Sequence, residues 1–398
     1  MILKEREKPR SDTMRYATVE LFCGIGGFHI ACDSLNVKTL WANDISPKSC
    51  RVYRDNFGGD VLVEGDIRKV AGHVPPHDLL TAGFPCQPFS SAGQKKGIHD
   101  PRGTLFLDIV DILKRRSPKY FVLENVRRVL SMQKGSHFAT ILAELARLDY
   151  FIEWRIVNGA WLGLAQNRER VFIVGTRADM TEGIPCIKLA DNRELETFLR
   201  EKYDMLMNCE NWRKISRHEE KFPFWGVAFH GRFTGWTPEF FSETKPLKTL
   251  ASVLQQQADR SFDYTEETLE RIKKSTFVNK FQNGVRILYN QGGGARMGYT
   301  VFGTDGIAST LTASTSRHYE RYEISGRYRR LTNVEYARLQ GFPDHHCKAV
   351  SVYDQYALYG NAVPPPMAGW VIQKLLSRGN TAFRRPLKRQ LSLFEGEI

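Results

Sequence analysis

A regular alternation of short apolar runs with longer amphipathic runs covers residues 18–175, and it constrains the fold more than any other feature. The short runs TVELF, VKTLW, DLLTAG, KYFVLEN and RVFIVG predict buried β-strands, and runs such as GTLFLDIVDILKRR and HFATILAELARL predict helices. This alternation is typical of an α/β protein with a mostly parallel sheet and helices on both of its faces.

The alternation is interrupted once. Between 179 and 327 it gives way to charged, aromatic and glycine-rich stretches, and regular patterning returns at RRLTNVEYARLQGFPD and YGNAVPPPMAGWVIQKLL. We therefore predict a main domain at 16–178 that is completed by 328–378, with a smaller irregular domain inserted at 179–327. Residues 1–15 are predicted to be a disordered arm and residues 379–398 a basic tail.

The chain is basic throughout. Its 398 residues suffice for two globular domains, and they carry a formal net charge of +13. The positive excess is spread along the sequence, as contact with a polyanion requires, although many basic proteins bind no anion.

The seven cysteines nowhere form the CxxC spacing of a zinc site or a redox pair. The cluster His345, His346 and Cys347 has no companion ligands at a suitable spacing, so we predict no metal. Because the charged N-terminus resembles no signal peptide and no segment has membrane-spanning length, we expect no membrane partner and a cytoplasmic location.

A glycine turn follows the first predicted strand, in ELFCGIGGFHIA, where Gly24, Gly26 and Gly27 lead into a helix. The N-terminus of such a helix faces a ligand. The turn is not a dinucleotide fingerprint, because His29 stands where the third glycine would be, and no GK[ST] of a P-loop follows. A nucleoside without phosphates, such as S-adenosylmethionine, suits this turn. An ordinary strand-to-helix turn is the alternative.

Two carboxylates lie further along the chain, where the next strands would end, at the edge where open parallel sheets bind ligands. Asp44 lies 20 residues after Gly24, a distance at which an acid can accept hydrogen bonds from ribose hydroxyls. Asp66 could accept a hydrogen bond from the adenine amino group. Either acid alone could be a turn residue or a helix cap, but three agreeing strand ends favour a ligand site.

Cys86 follows the predicted strand DLLTAG and lies between Pro85 and Pro88. A thiol on such a rigid, exposed support is suited to act as a nucleophile, although most free cysteines are buried and structural. Glu124 ends a buried apolar run, where desolvation favours a protonated carboxyl; a strand-end cap is the alternative. Arg168 and Arg170 are two residues apart, so in a strand they point the same way, unless they are merely a solvated basic edge.

Five spaced motifs carry a family resemblance. FCGIGG, GFPCQPFS, ENV, QNRER and YGNAVPPP resemble, in order, the motifs of bacterial-type cytosine carbon-5 DNA methyltransferases. The similarity covers residues 18–175 and 329–376. It implies a Rossmann-like S-adenosylmethionine-dependent methyltransferase fold, S-adenosylmethionine as cofactor and double-stranded DNA as substrate. It also implies a monomer that belongs to a restriction-modification system, with a possible cognate restriction endonuclease.

The resemblance assigns roles to single residues. It implies that Cys86 adds to carbon 6 of a flipped cytosine, that Glu124 stabilises the ring, and that Arg170, supported by Arg168, holds the base oxygen. By similarity the cofactor would be surrounded by residues of the glycine turn, of the strand ends and of residues 328–378, which we call the C-terminal return. These residues are Phe22, Gly24, Ile25, Gly26, Asp44, Ile45, Asp66, Ile67, Leu105, Asn361 and Val363.

DNA contacts are expected from two segments. The loop at 90–103 is a candidate lid that touches DNA through Gln94 and Lys95, unless it is an ordinary surface loop. Residues 290–322 resemble the end of a target-recognition domain, with Thr310 and Leu311 at the family's Thr-Leu pair. Arg296 and Arg317 could read guanine there, although phosphate contact is favoured. An RNA cytosine methyltransferase on the same scaffold and a non-catalytic DNA-binding relative are the competing hypotheses.

Overall fold

The structure is a computed structural model that describes residues 16–85, 104–180, 189, 209–237, 248–290, 300–313 and 320–377. The helices in these ranges are α1 (Gly27–Ser34), α2 (Pro47–Phe57), α3 (Ile67–Val70), α4 (Thr104–Arg116), α5 (Ser136–Ala146), α6 (Glu266–Lys273), α7 (Asn333–Gln340), α8 (Val352–Asn361) and α9 (Pro365–Leu376). None of these described helices has both the length and the apolar character that a membrane span requires.

The described strands form two sheets. The large sheet contains β1 (Tyr16–Leu21), β2 (Val37–Asp44), β3 (Leu62–Glu64), β4 (Leu79–Gly83), β5 (Tyr120–Val126), β6 (Tyr150–Asn158), β7 (Glu169–Arg177), β8 (Arg213–Lys214), β9 (Trp225–Phe229) and β10 (Arg232–Trp236). The small sheet contains β11 (Thr276–Gln282), β12 (Val285–Asn290), β13 (Thr300–Phe302), β14 (Arg321–Ile324) and β15 (Arg327–Arg329).

The large sheet has the order β3-β2-β1-β4-β5-β7-β6-β9-β10-β8. Strands β3, β2, β1, β4 and β5 are parallel, and β7 continues the sheet antiparallel to β5. All five predicted apolar runs form strands, and the predicted α/β class is confirmed. Because the chain proceeds outward in both directions from the β1/β4 pair, ligands are expected at the carboxyl ends of these strands.

Helices cover both faces of the sheet. On one face, α4 and α5 contribute Ile109 and Ile141 to an apolar cluster that contains Phe121 of β5. On the other face, α1 and α9 pack with Val122 of the same strand. Neighbouring residues of β5 thus point to opposite faces, which explains why this strand reads as a continuous apolar run.

The C-terminal return packs directly on the glycine turn. Helix α9 lies against α1, and the chain before α9 passes so close that a Cβ on Gly27 would be 2.0 Å from the carbonyl oxygen of Val363. Only glycine fits this crossing. The return therefore completes the domain that the first strand begins.

Strands β8, β9 and β10 lie within the stretch 179–327, yet they extend the large sheet beyond β6. Trp225 of β9 is fully buried there, and its Nε1 donates a hydrogen bond of 2.8 Å to Glu153 of β6. Strands β11–β15 form the separate small sheet. The division of the chain into domains stays a prediction.

Candidate active site

The glycine turn between β1 and α1 has a backbone shape that requires glycine. Gly24 and Gly26 have φ angles of +54° and +83°, in the left-handed region. A Cβ on Gly26 would also lie 2.2 Å from the ring of Phe57. The backbone N–H of Gly24 donates a hydrogen bond of 2.9 Å to Oδ2 of Asp44, so this carboxylate is fixed against the turn.

Asp44 is not the cap of the helix that follows it. Ser46 caps α2 by accepting a hydrogen bond from Ser49 N–H, whereas Asp44 accepts from Ser46 N–H at 2.8 Å and from the glycine turn. Burial raises the pKa of Asp44 and outweighs these hydrogen bonds. Each carboxylate oxygen can accept a further bond, as the ribose role requires.

Asp66 differs, because here the helix-cap alternative describes what is observed. Its Oδ1 accepts the Arg68 N–H at 3.0 Å and caps α3, and the Arg68 Nε lies 2.9 Å and 3.0 Å from its two oxygens. The guanidinium lowers the pKa of Asp66. An adenine amino group would have to share this carboxylate with Arg68.

Glu124 and Arg170 form a buried ion pair at the carboxyl end of β5. The Arg170 Nε lies 2.9 Å from Glu124 Oε1, and both side chains are 11% exposed. Burial raises the pKa of Glu124, although the guanidinium groups of Arg170 and Arg168 oppose the shift. Gly83, the last residue of β4, pairs with Glu124 across the sheet.

Arg168 is fully buried, so it is not part of a solvated edge. Its guanidinium donates hydrogen bonds of 2.9 Å to the carbonyl oxygens of Leu311, Gly360 and Ala362. Arg168 thereby joins the start of β7 to the segment that contains Leu311 and to the C-terminal return. These contacts are structural, and its support of the base pocket stays a prediction.

Comparisons with known proteins identify the family. The family model described as C-5 cytosine-specific DNA methylase matches residues 16–377, nearly the whole chain. The chain belongs to this family. The enzyme is thus a DNA cytosine-5 methyltransferase, and S-adenosylmethionine is its cofactor.

Individual relatives cover most of the methylase. The Type II methyltransferase M1.ScrFI of Lactococcus lactis subsp. cremoris is 31% identical over 372 residues, which are 92% of this chain and 79% of that protein. M.HhaI of Haemophilus parahaemolyticus is 29% identical over 349 residues, 87% of this chain and 89% of that protein. The crystal structure of S. pombe Dnmt2 methyltransferase matches with a TM-score of 0.58 at 19% sequence identity, and the match covers 91% of this chain and 98% of that one. At this identity the match supports only the fold.

Several of the predicted cofactor residues of the methylase are apolar and lie near the carboxyl ends of the strands. Ile45, next to Asp44, is 64% exposed, and an apolar side chain so placed leaves surface for a flat ring to cover. Phe22, Ile67 and Leu105 belong to or pack against one apolar cluster at the same strand ends. Val363 lies between the glycine turn and β4, since its Cγ2 would be 3.1 Å from a Cβ on Gly83.

Of three further predicted cofactor residues, two belong to the turn and one lies in the C-terminal return. Ile25 is buried at 2% exposure within the turn, and Gly26 forms the N-cap of α1. Asn361, the last residue of α8, is exposed two residues before Val363. The structure therefore brings residues from both ends of the methylase to one place.

The Thr-Leu pair docks on the QNRER motif. Thr310 Oγ1 donates a hydrogen bond to the Asn167 carbonyl, and Leu311 N–H donates one of 3.0 Å to the Gln166 side chain. Thr310 is half-buried, whereas the Leu311 side chain is fully buried in an apolar cluster. The Leu311 side chain therefore packs in the core, and a contact of this residue with DNA stays a prediction.

Asn125 is a site residue that the sequence reasoning missed. Its Nδ2 donates a hydrogen bond of 3.2 Å to the Phe84 carbonyl, and its Oδ1 accepts the Val126 N–H at 2.8 Å. It thus holds the end of β4 against β5. The sequence signal that could have identified Asn125 is its position within the ENV motif.

Several predicted residues lie outside the described ranges: Cys86, Gln94, Lys95, Arg296 and Arg317. The described chain reaches Pro85, whose next residue is Cys86. Nowhere in the described ranges do three or more His, Cys, Asp or Glu side chains meet as a metal site.

We expect Arg168→Met to lower the free energy of unfolding by about 3 kcal/mol, because three buried carbonyl oxygens lose a charged donor. Urea unfolding followed by circular dichroism measures the loss. The control is Arg147→Met, since Arg147 is 71% exposed and forms its ion pair with Glu144 at the end of α5; we expect it to cost less than about 1 kcal/mol. Equal losses for the two variants would contradict the structural role of Arg168.

Proposed function

We propose that this methylase flips a cytosine out of a specific duplex site, adds Cys86 to carbon 6 and directs the methyl group to carbon 5. The observation that supports it is the pairing of Gly83 with Glu124. The strand that leads to Cys86 runs beside the Glu124–Arg170 pair, so thiol and acid would act on one base. The flip costs roughly a few kcal/mol.

Carbon 5 of cytosine is too weak a nucleophile to take a methyl group unaided. In the proposed reaction the Cys86 thiolate forms a bond to carbon 6, and the displaced electron pair makes the ring an enamine. S-adenosylmethionine supplies the electrophilic methyl group. A base then removes the carbon-5 proton, and those electrons expel the thiolate.

Glu124 is suited to stabilise the addition. Its pKa is raised by burial, so the carboxyl can carry a proton and donate it to ring nitrogen 3 as charge develops there. Arg170 keeps the carboxyl in place through the 2.9 Å contact and would hold the base oxygen. Arg168 would add positive potential from beneath the pocket.

Asp44 and Asp66 would hold the cofactor's ribose and adenine, with Ile45 under the ring. The turn at Gly24 lets the backbone approach the ligand, because a side chain there would need a strained φ of +54°. Asn361 and Val363 would close the site from the C-terminal return. These residues bind and orient, and they take no part in bond changes.

We assign target recognition to 179–327, which includes strands β11–β14 of the small sheet, and catalysis to 16–178 and 328–378. Gln94, Lys95, Arg296, Thr310 and Arg317 are the proposed DNA contacts. M1.ScrFI and M.HhaI are named Type II methyltransferases, which supports a role as the modification enzyme of a restriction-modification system. We propose a monomer that acts on DNA in the bacterial cytosol, with a cognate restriction endonuclease as partner.

Labelled S-adenosylmethionine tests the proposal. Purified protein is incubated with duplex DNA or with RNA of the same sequence, and methylcytosine is mapped at base resolution. We expect label only in DNA, on carbon 5 of one cytosine in a short recurring site. Label confined to RNA would favour the RNA enzyme, and no label in either would favour a non-catalytic relative.

A further inference from the structure

His346 connects the C-terminal return to the glycine turn, although the cofactor motifs do not include it. It is 3% exposed, and its Nε2 lies 2.7 Å from the carbonyl oxygen of Ile25. Its own carbonyl oxygen accepts a hydrogen bond of 2.8 Å from Asn56 Nδ2 in α2. One residue thus joins three segments that are far apart in sequence.

Aromatic neighbours fix the orientation of the imidazole. Its ring centroid lies 4.8 Å from that of Phe342 and 5.9 Å from that of Phe57. Phe57 also occupies the space where a Cβ on Gly26 would lie. Movement of His346 would therefore disturb the side chain that packs on the turn.

The chemistry of the contact determines the tautomer. A carbonyl oxygen can only accept, so Nε2 of His346 carries the hydrogen. Burial lowers the pKa of His346, which leaves the ring neutral at neutral pH. Two other turn carbonyls have partners as well, since Cys23 accepts from Gly26 N–H and Gly26 accepts from Ile30 N–H.

The turn is thus held from two sides. Asp44 of β2 binds the N–H of Gly24, and His346 binds the carbonyl oxygen of the next residue, Ile25. A carbonyl left unpaired in a buried turn would rotate toward another donor. Such a rotation would also move the Gly26 N–H of the same peptide group and disturb its bond to the Cys23 carbonyl.

We propose that His346 is a positioning residue for S-adenosylmethionine, which holds the glycine turn in its ligand-binding conformation from the C-terminal return. The inference rests on the proposed placement of the cofactor at this turn. His346 does not touch the reacting atoms. Its loss should weaken cofactor binding and leave the chemical step nearly unchanged.

Three substitutions test this role. His346→Phe keeps an aromatic ring and removes the donor, whereas His346→Gln retains an N–H that can reach the carbonyl. His345→Phe is the matched control, because His345 is the exposed neighbour. His346→Met is the donor-free variant to be used if the phenylalanine variant does not fold. The probe is S-adenosylmethionine, measured by isothermal titration calorimetry without DNA and by steady-state kinetics with it.

We expect H346F to raise Kd and KM for S-adenosylmethionine about tenfold, with kcat within about twofold of wild type. H346Q should stay within about threefold, and H345F should match wild type. An unchanged Kd in H346F, or a loss that glutamine does not rescue, would overturn the positioning role. If the wild-type protein itself failed to bind S-adenosylmethionine, the proposed cofactor site would be wrong.

Discussion

Cys86→Ala is expected to lower the rate of methyl transfer at least about a thousandfold, because without thiolate addition carbon 5 is not nucleophilic. DNA affinity should change by less than about twofold, since the thiol contributes little to binding the duplex. Single-turnover transfer of labelled methyl groups and an electrophoretic mobility shift measure the two quantities.

Cys209→Ala is the control for this prediction. Cys209 lies in the inserted stretch and belongs to none of the methyltransferase motifs, so its removal should leave transfer unchanged. Turnover by Cys86→Ala at a rate near wild type would show that another group activates the base.

Glu124→Gln is the second large effect that we expect, a fall in single-turnover rate of about 10²- to 10⁴-fold. Glutamine keeps the shape of the side chain but cannot transfer a proton to ring nitrogen 3. Because burial raises the pKa of Glu124, the protonated form persists to a higher pH than for an ordinary glutamate. The wild-type rate should therefore fall as pH increases through this raised pKa, and the variant should lack that decrease.

Glu169→Gln is a matched control. Glu169 is the adjacent acid on β7, but it pairs with Arg127 at the surface, where its side chain is 31% exposed. We expect its rate and pH profile to match wild type. An alkaline decrease that persists in Glu124→Gln would assign the titration to another group.

The strands that the sequence predicted correctly are those buried on both faces by the chain's own helices, so their apolar runs are continuous. Strand β6 escaped prediction because Glu153 and Arg155 interrupt its apolar pattern. These two side chains are buried, and they bond to partners far along the chain: Trp225 donates to Glu153, and Arg155 donates to the Leu189 carbonyl. A local pattern does not contain those partners.

The same distinction separates the predicted site residues from the long-range contacts that the sequence did not predict. Asp44 and Glu124 follow predicted strands, so the parallel topology alone placed them at one edge. The bonds of Arg168 to Leu311 and Gly360 span 143 and 192 residues, and the bond of His346 to Ile25 spans 321. Sequence patterns indicate the helix or strand in which a residue lies. Contacts of this length depend on how helices and strands that are far apart in the sequence pack together.

The most direct test of Cys86 addition uses duplex DNA that carries 5-fluorocytosine at the mapped target position, together with S-adenosylmethionine. The carbon-5 fluorine cannot leave as a proton does, so the bond between sulfur and carbon 6 should persist after methyl transfer. We predict a denaturation-resistant protein–DNA adduct whose mass maps to the peptide containing Cys86, and none with Cys86→Ala. An adduct at another residue, or no adduct from an enzyme that methylates ordinary cytosine, would contradict the proposed mechanism.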